Sequence, residues 1–152
     1  MKFETSQDQA NEQSICNELR KHLREEIKIT PTLPYKYILD RALLLNDDLR
    51  AWIEIKVQKA NLRMSTLEYY WLGLRKAKEG VNWAKITNRP FFFIVKFDDM
   101  GIMFTEITAL SLEEYPITWD GWNIPRVKAD KELMLNIPVE KFYRINELNE
   151  RV

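Results

Sequence analysis

Polar and apolar positions follow two different periods along this chain, and the switches between them mark its elements. Over residues 5–25, Ile15, Leu19 and Leu23 recur every four positions with Cys16 beside them. That spacing is the inward stripe of an amphipathic helix. Thr5 or Ser6 can cap it, and Asp8 suits its first turn. Thr30-Pro31-Thr32-Leu33-Pro34 then breaks regular structure. Residues 35–45 (YKYILDRALLL) and 50–58 (RAWIEIKVQ) read as two strands, joined as an antiparallel hairpin by the turn cluster Asn46-Asp47-Asp48. In the second strand Ala51, Ile53, Ile55 and Val57 take one face, and Trp52, Glu54, Lys56 and Gln58 take the other.

The period changes again at residues 64–79, which read as a second helix capped by Ser65 or Thr66 and stopped by Gly80. Leu67, Tyr70, Trp71 and Leu74 would form its apolar side, and Arg75, Lys76 and Lys78 its polar side. The unbroken run PFFFIVKF suits a strand buried on both faces. Asp98-Asp99-Met100-Gly101 turns it into a further strand, IMFTEITAL. Residues 111–131 are expected to be mostly loop, followed by a short strand LMLNIPV and the tail EKFYRI. The order α-β-β-α-β-β with an extra C-terminal strand implies an α/β (α+β mixed sheet) layered architecture. At 152 residues, with no repeat or linker, the chain is expected to form a single domain, 1–152.

Composition removes several classes of function. One cysteine excludes an internal disulfide, and a single histidine argues against a His-rich metal site or a Ser-His-Asp triad. Four glycines supply no glycine-rich phosphate loop. No apolar run approaches a membrane span, and the N-terminus lacks the apolar core of a signal peptide, so no membrane partner and a cytoplasmic setting are expected. His22 sits among Arg20, Lys21, Arg24 and Glu25, as a solvated helix position would. The net charge is zero, yet residues 49–96 carry 10 basic and 3 acidic side chains. A basic middle third can attract phosphate even on a neutral protein; a solvated helix face reads equally well.

The candidate chemistry lies in the hairpin. Glu54 and Lys56 are two residues apart on one strand and leave it on the same face. A three-residue loop would pair Leu45 with Leu49 and set Asp40 opposite Glu54, whereas a two- or four-residue loop would put them on opposite faces. Opposed carboxylates repel unless a cation lies between them, and hard ions such as Mg²⁺ take oxygen ligands of this kind. Glu12 falls on the apolar stripe with Ile15, Cys16 and Leu19, so it points inward, toward the hairpin's acidic face. The triplet Glu26-Ile27-Lys28 repeats the Glu-x-Lys spacing but ends a helix, and reads as a solvated terminus. The structural alternative is a buried Glu54–Lys56 ion pair with Asp40 at the surface.

A helix bearing Glu, a strand bearing Asp and a following strand bearing Glu-x-Lys, then a helix and two strands, resembles the PD-(D/E)XK nuclease superfamily over residues 5–107. The likeness is to small phage or bacterial members, with a tail similar to NIPVEKFYRI. The resemblance implies a restriction-endonuclease-like core and a metal-dependent endonuclease or resolvase-like nuclease that hydrolyses DNA phosphodiester bonds. It implies that Asp40, Glu54, the Ile55 carbonyl and Glu12 hold Mg²⁺ (or Mn²⁺), that Lys56 acts on the attacking water, and that Gln58 adds a polar group. Basic residues Lys59, Arg63, Arg75 and Lys76 would hold flanking DNA, and Trp52, if not core, would stack on a base. A homodimer would suit cutting of both strands. Leu39 stands where the family name has a proline. The alternative is a catalytically silent nuclease-fold module that binds nucleic acid or a protein partner.

Overall fold

The computed structural model describes residues 6–34, 39–56, 62–119 and 132–152. The parts of the expected elements that fall between these ranges, with Thr5, Val57, Gln58 and Lys59, lie outside the described residues.

The first helix, α1 (Ser6–His22), ends in Arg20, Lys21 and His22, and the Arg20 and Lys21 charges complement the partial negative charge of its C-terminus. Its stripe of Ile15, Cys16, Leu19 and Leu23 is buried, as the period requires. A short strand, β1 (Ile27–Ile29), follows and pairs antiparallel with β2 (Arg41–Leu45). This corrects the reading of Glu26-Ile27-Lys28 as a solvated terminus: Ile27 is fully buried opposite Leu45.

The hairpin of β2 and β3 (Asp48–Lys56) closes through a two-residue turn, not three. Asn46 and Asp47 sit at φ 52° and 64°, the positive values that a twist-compatible tight turn needs and that Asn and Asp tolerate. Leu45 pairs with Asp48 and Leu44 with Leu49, but Leu43 pairs with Ala51. Arg50 is therefore the extra residue of a β-bulge. The bulge restores the residue that the shorter turn removes, so beyond it the register equals that of a three-residue loop, with Arg41 opposite Ile53.

The largest departure lies in the middle of the chain. Tyr69–Gly73 is a strand, β4, and the helix α2 runs over Leu74–Thr87 instead of 64–79. Tyr-Tyr-Trp-Leu satisfies period 2 as readily as 3.6, and β4 is drawn into a strand by pairing with β8 (Leu133–Pro138). Gly80, expected as a helix stop, lies inside α2 and lets Phe91 approach: a Cβ there would stand 2.2–2.6 Å from three ring atoms. The helix ends instead at Asn88, in the left-handed conformation, ahead of Pro90.

The strands β5 (Phe91–Phe97), β6 (Gly101–Glu106) and β9 (Tyr143–Arg144) complete a six-stranded sheet in the order β1-β2-β3-β5-β6-β9. Among the described strands only β3 and β5 pair in parallel, and the β4–α2 segment crosses between them. A second sheet, β4-β8-β7, uses Ile117–Trp119 as β7. Residues 111–119 thus hold the end of a short helix, α3 (Ala109–Glu114), and an edge strand, where loop was expected.

Both faces of the large sheet are covered. Ala51, Ile53, Ile55, Phe92 and Ile94 pack with the α1 stripe and with Ile145 and Leu148 of the C-terminal 3-10 segment. Trp52, Phe91, Phe93, Val95 and Phe97 pack with Leu74 and Ala77 of α2 and with Tyr70, Leu72, Leu135 and Ile137 of the second sheet. Burial on two sides is why β5 reads as a continuous apolar run, and each buried Phe contributes about 1.5–3 kcal/mol.

Candidate active site

Alternation on β3 sends Glu54 and Lys56 toward the α2 face, beside Phe93 and Val95 of β5. Asp40 lies one residue before β2, where the bulge-corrected register brings it level with Glu54. The two acids clasp each other's backbone. The Asp40 N–H donates to Glu54 Oε2 at 3.2 Å, and the Ile55 N–H donates to Asp40 Oδ2 at 2.9 Å. Both side chains are buried, with the residues 7% and 3% exposed.

Two carboxylates in so little water cannot both ionise cheaply. Burial pushes Asp40 up from 3.8 to about 8, with the neighbouring Glu54 charge adding to the rise and Lys76 opposing it. Burial also raises Glu54, opposed by Lys76 and by the Asp40 N–H. Lys76, the third residue of α2, reaches Glu54 Oε1 in an ion pair. The sequence reading put Lys76 on a solvated helix side, because it placed that helix one strand too early. With α2 starting at Leu74, Lys76 precedes the buried Ala77 by one residue and Gly80 by one turn, so it flanks the inward face.

The remaining expected site residues are placed as follows. Lys56 is exposed at the end of β3, Glu54 pairs with Lys76 of the helix, and Asp40 is buried, not at the surface as the structural alternative requires. Glu12 is buried, as its stripe position predicts, but its Oε1 receives a 2.9 Å hydrogen bond from Arg41 Nε. Its direct partner is therefore the cation next to Asp40 rather than the two acids themselves. Arg41 further donates to the Thr30 carbonyl at 3.0 Å. Gln58 lies outside the described residues. Trp52 is core: its Nε1 donates to Thr87 Oγ1 at 3.0 Å and its ring stands 5.5 Å from that of Trp83. Arg63, Arg75 and Lys78 are exposed. Burial pushes the Cys16 thiol up to about 11, which keeps it from serving as a thiolate.

Among the described residues no group of three or more His, Cys, Asp or Glu side chains could hold a metal ion. The donor set is smaller: two crowded carboxylates, with main-chain carbonyls nearby. Such an all-oxygen set with few protein ligands fits a hard divalent cation that keeps several waters, and it does not fit a caged zinc.

The comparisons agree with this geometry. The family described as "Phage putative PDDEXK endonuclease" matches residues 1–145. The chain belongs to that family, and so to the PD-(D/E)XK nucleases. Among solved structures, the Holliday junction resolvase Hjc of Archaeoglobus fulgidus shares the fold with a TM-score of 0.59 at 14% identity, over 97% of this chain and 98% of that one. No protein of curated function matches the sequence. Among the described residues no helix is long and apolar enough to cross a membrane.

Proposed function

We propose that this protein is a divalent-cation-dependent endonuclease that hydrolyses phosphodiester bonds in DNA, with Mg²⁺ as its natural ion and Mn²⁺ as a substitute. The reading is carried by one observation: Asp40 and Glu54 are fixed side by side, both buried, in a chain of the phage PDDEXK endonuclease family. Asp40, Glu54 and the Ile55 carbonyl would hold the ion. Glu12 would act from farther off, through water. The bound ion supplies charge for the phosphoryl oxygens and lowers the pKa of water. Lys56, on the same strand face as Glu54, positions that water and offsets the charge that grows on the phosphoryl group. The exposed Arg63, Arg75 and Lys78 hold the flanking backbone, without reading sequence. Gln58 is proposed as a further polar group at the end of the same strand.

The resemblance of the fold to a Holliday junction resolvase makes branched DNA one substrate to test beside linear duplex and single strands. Cutting both strands of a duplex takes two such centres, so a homodimer acting on cytoplasmic DNA, and a single domain per chain, belong to this reading. The test is cleavage of labelled linear, single-stranded and four-way-junction DNA with Mg²⁺, Mn²⁺ or a chelator. Cutting is expected with either ion, and is expected to be lost with the chelator and in Glu54→Gln. Tight DNA binding with no cutting under any ion would overturn the enzymatic reading in favour of a silent module.

A further inference from the structure

The ion pair between Lys76 and Glu54 joins a half-exposed ammonium to a buried carboxylate: the side chains are 45% and 4% exposed. The base of Lys76 is anchored in the first turn of α2, which carries no acidic residue of its own. Its ammonium reaches Glu54, while nearly half of the side chain's surface is open to solvent. A lysine so placed has a hydrated alternative within one rotation of its flexible stem.

Glu54 Oε2 accepts the Asp40 N–H, and Oε1 is the oxygen that already carries a cation, the Lys76 ammonium. A divalent ion on the same oxygen would meet the ammonium at close range, in a site with little water to screen them. The two positive charges compete for one carboxylate. Resting on the nuclease reading above, we propose that Lys76 is a place-holding cation. It neutralises Glu54 while the centre is metal-free, is displaced from Oε1 when a divalent ion binds, and then turns its ammonium outward toward the DNA phosphate backbone. Lys76 acts on the ion through Glu54 and is a positioning residue, distinct from Lys56 on β3.

The arrangement has two consequences. Cation affinity is held below what Asp40 and Glu54 alone would give, so a site built before loading can still exchange its ion. In the metal-free fold, Lys76 supplies a counter-charge to the buried Glu54 carboxylate.

The test uses the full chain and Mn²⁺ alone, titrated by calorimetry without DNA, in wild type, Lys76→Met, Lys76→Arg and Glu54→Gln. Lys76→Met is expected to bind Mn²⁺ about tenfold tighter and to melt lower when metal-free, with Lys76→Arg close to wild type; changes around a metal site commonly move affinity by about 10–100-fold. Glu54→Gln is expected to bind at least about tenfold more weakly. If Glu54→Gln weakens binding but Lys76→Met does not strengthen it, the place-holder is overturned and the metal site stands. If wild type binds no Mn²⁺, or Glu54→Gln binds as well as wild type, the nuclease reading itself fails. Should Lys76→Met not fold, the unmodified protein decides: the ¹⁵N signal of the Lys76 ammonium, held in the ion pair, is expected to lose its protection on addition of Mg²⁺. A signal unmoved by saturating Mg²⁺ overturns the proposal.

Discussion

Asp40 and Glu54 hold each other in place: the Asp40 N–H donates to Glu54 Oε2 at 3.2 Å, and Asp40 Oδ2 receives the N–H of Ile55, the residue after Glu54, at 2.9 Å. Each carboxylate is thus oriented by the backbone of the segment that carries the other. Two carboxyl groups have been brought together before any metal ion arrives, with Asp40 holding its proton and Lys76 paired to Glu54, and the sheet bears the cost. Such preorganisation lets binding energy go into the ion and the substrate and not into gathering ligands.

That cost should be visible as a pH dependence of stability. In the metal-free fold Asp40 keeps its proton up to about pH 8, whereas in the unfolded chain it titrates near its ordinary value of 3.8. Between these values the native state binds the extra proton, so stability contributed by this group is complete at low pH and falls as pH rises from about 4 to about 8. Melting in the presence of a chelator should show wild type losing ground to Asp40→Asn across this window, since asparagine does not titrate. Saturating Mg²⁺ should reverse the trend by stabilising the ionised pair. A wild-type-minus-variant difference that stays flat with pH would count against the raised Asp40.

Lys56 and Glu54 share a strand face but differ in burial, and their variants should separate accordingly. Lys56 is exposed at the end of β3. Lys56→Ala should cost much less stability than Glu54→Ala, whose side chain is buried. DNA cleavage should nonetheless fall by about 10²-fold or more, the scale of removing a group that stabilises transition-state charge. Single-turnover rates with chemical denaturation of the same variant check both arms. A Lys56→Ala enzyme that cuts at the wild-type rate would move the water-directed role elsewhere.

How much of this was legible in the sequence varies by element, for physical reasons. The stripe of α1, the alternation of β3 and the apolar run of β5 follow from periodicity, because each buries a regular face. A three-residue turn predicts the level placement of Asp40 and Glu54 despite its wrong length, because the single extra residue of the Arg50 bulge offsets the missing turn residue; no local signal marks a bulge at Arg50. The β4–α2 boundary was not legible. Tyr70 and Leu72 become strand residues only through Ile137 and Leu135, more than sixty positions away. Misplacing α2 then hid Lys76, the cation that meets Glu54, and turned Gly80 from a packing residue into an apparent stop. Glu12 was correctly read as inward, but its partner Arg41 was hidden inside an apolar strand.

Gly80 supplies a prediction against the usual rule. Ala in a helix interior is ordinarily favoured over Gly by about 1 kcal/mol. Here a Cβ would stand 2.2–2.6 Å from the ring of Phe91, which is fully buried. Overpacking of that kind costs about 1–3 kcal/mol, so Gly80→Ala should lower the urea midpoint despite its better propensity. Adding Phe91→Leu should recover part of the loss, because the smaller side chain vacates the contact. A higher midpoint for Gly80→Ala would show that α2 can lift from the sheet without penalty.

Glu12 and Arg41 form a buried ion pair, with side chains 5% and 9% exposed and a 2.9 Å contact. Removing one partner strands the other charge in a site with little water, which typically costs about 3–5 kcal/mol. Arg41→Met should therefore destabilise strongly, more so because the Thr30 carbonyl and Gln13 Oε1 also lose donors. Glu12→Gln placed on top of Arg41→Met should restore stability relative to the single variant, since a neutral amide needs no counter-charge. Equilibrium unfolding of the two singles and the double gives the coupling directly. Additive losses would mean that Glu12 does not depend on Arg41 for its burial. The pair would then have to be regarded as two independent groups, and the acid on α1 would be held for another purpose.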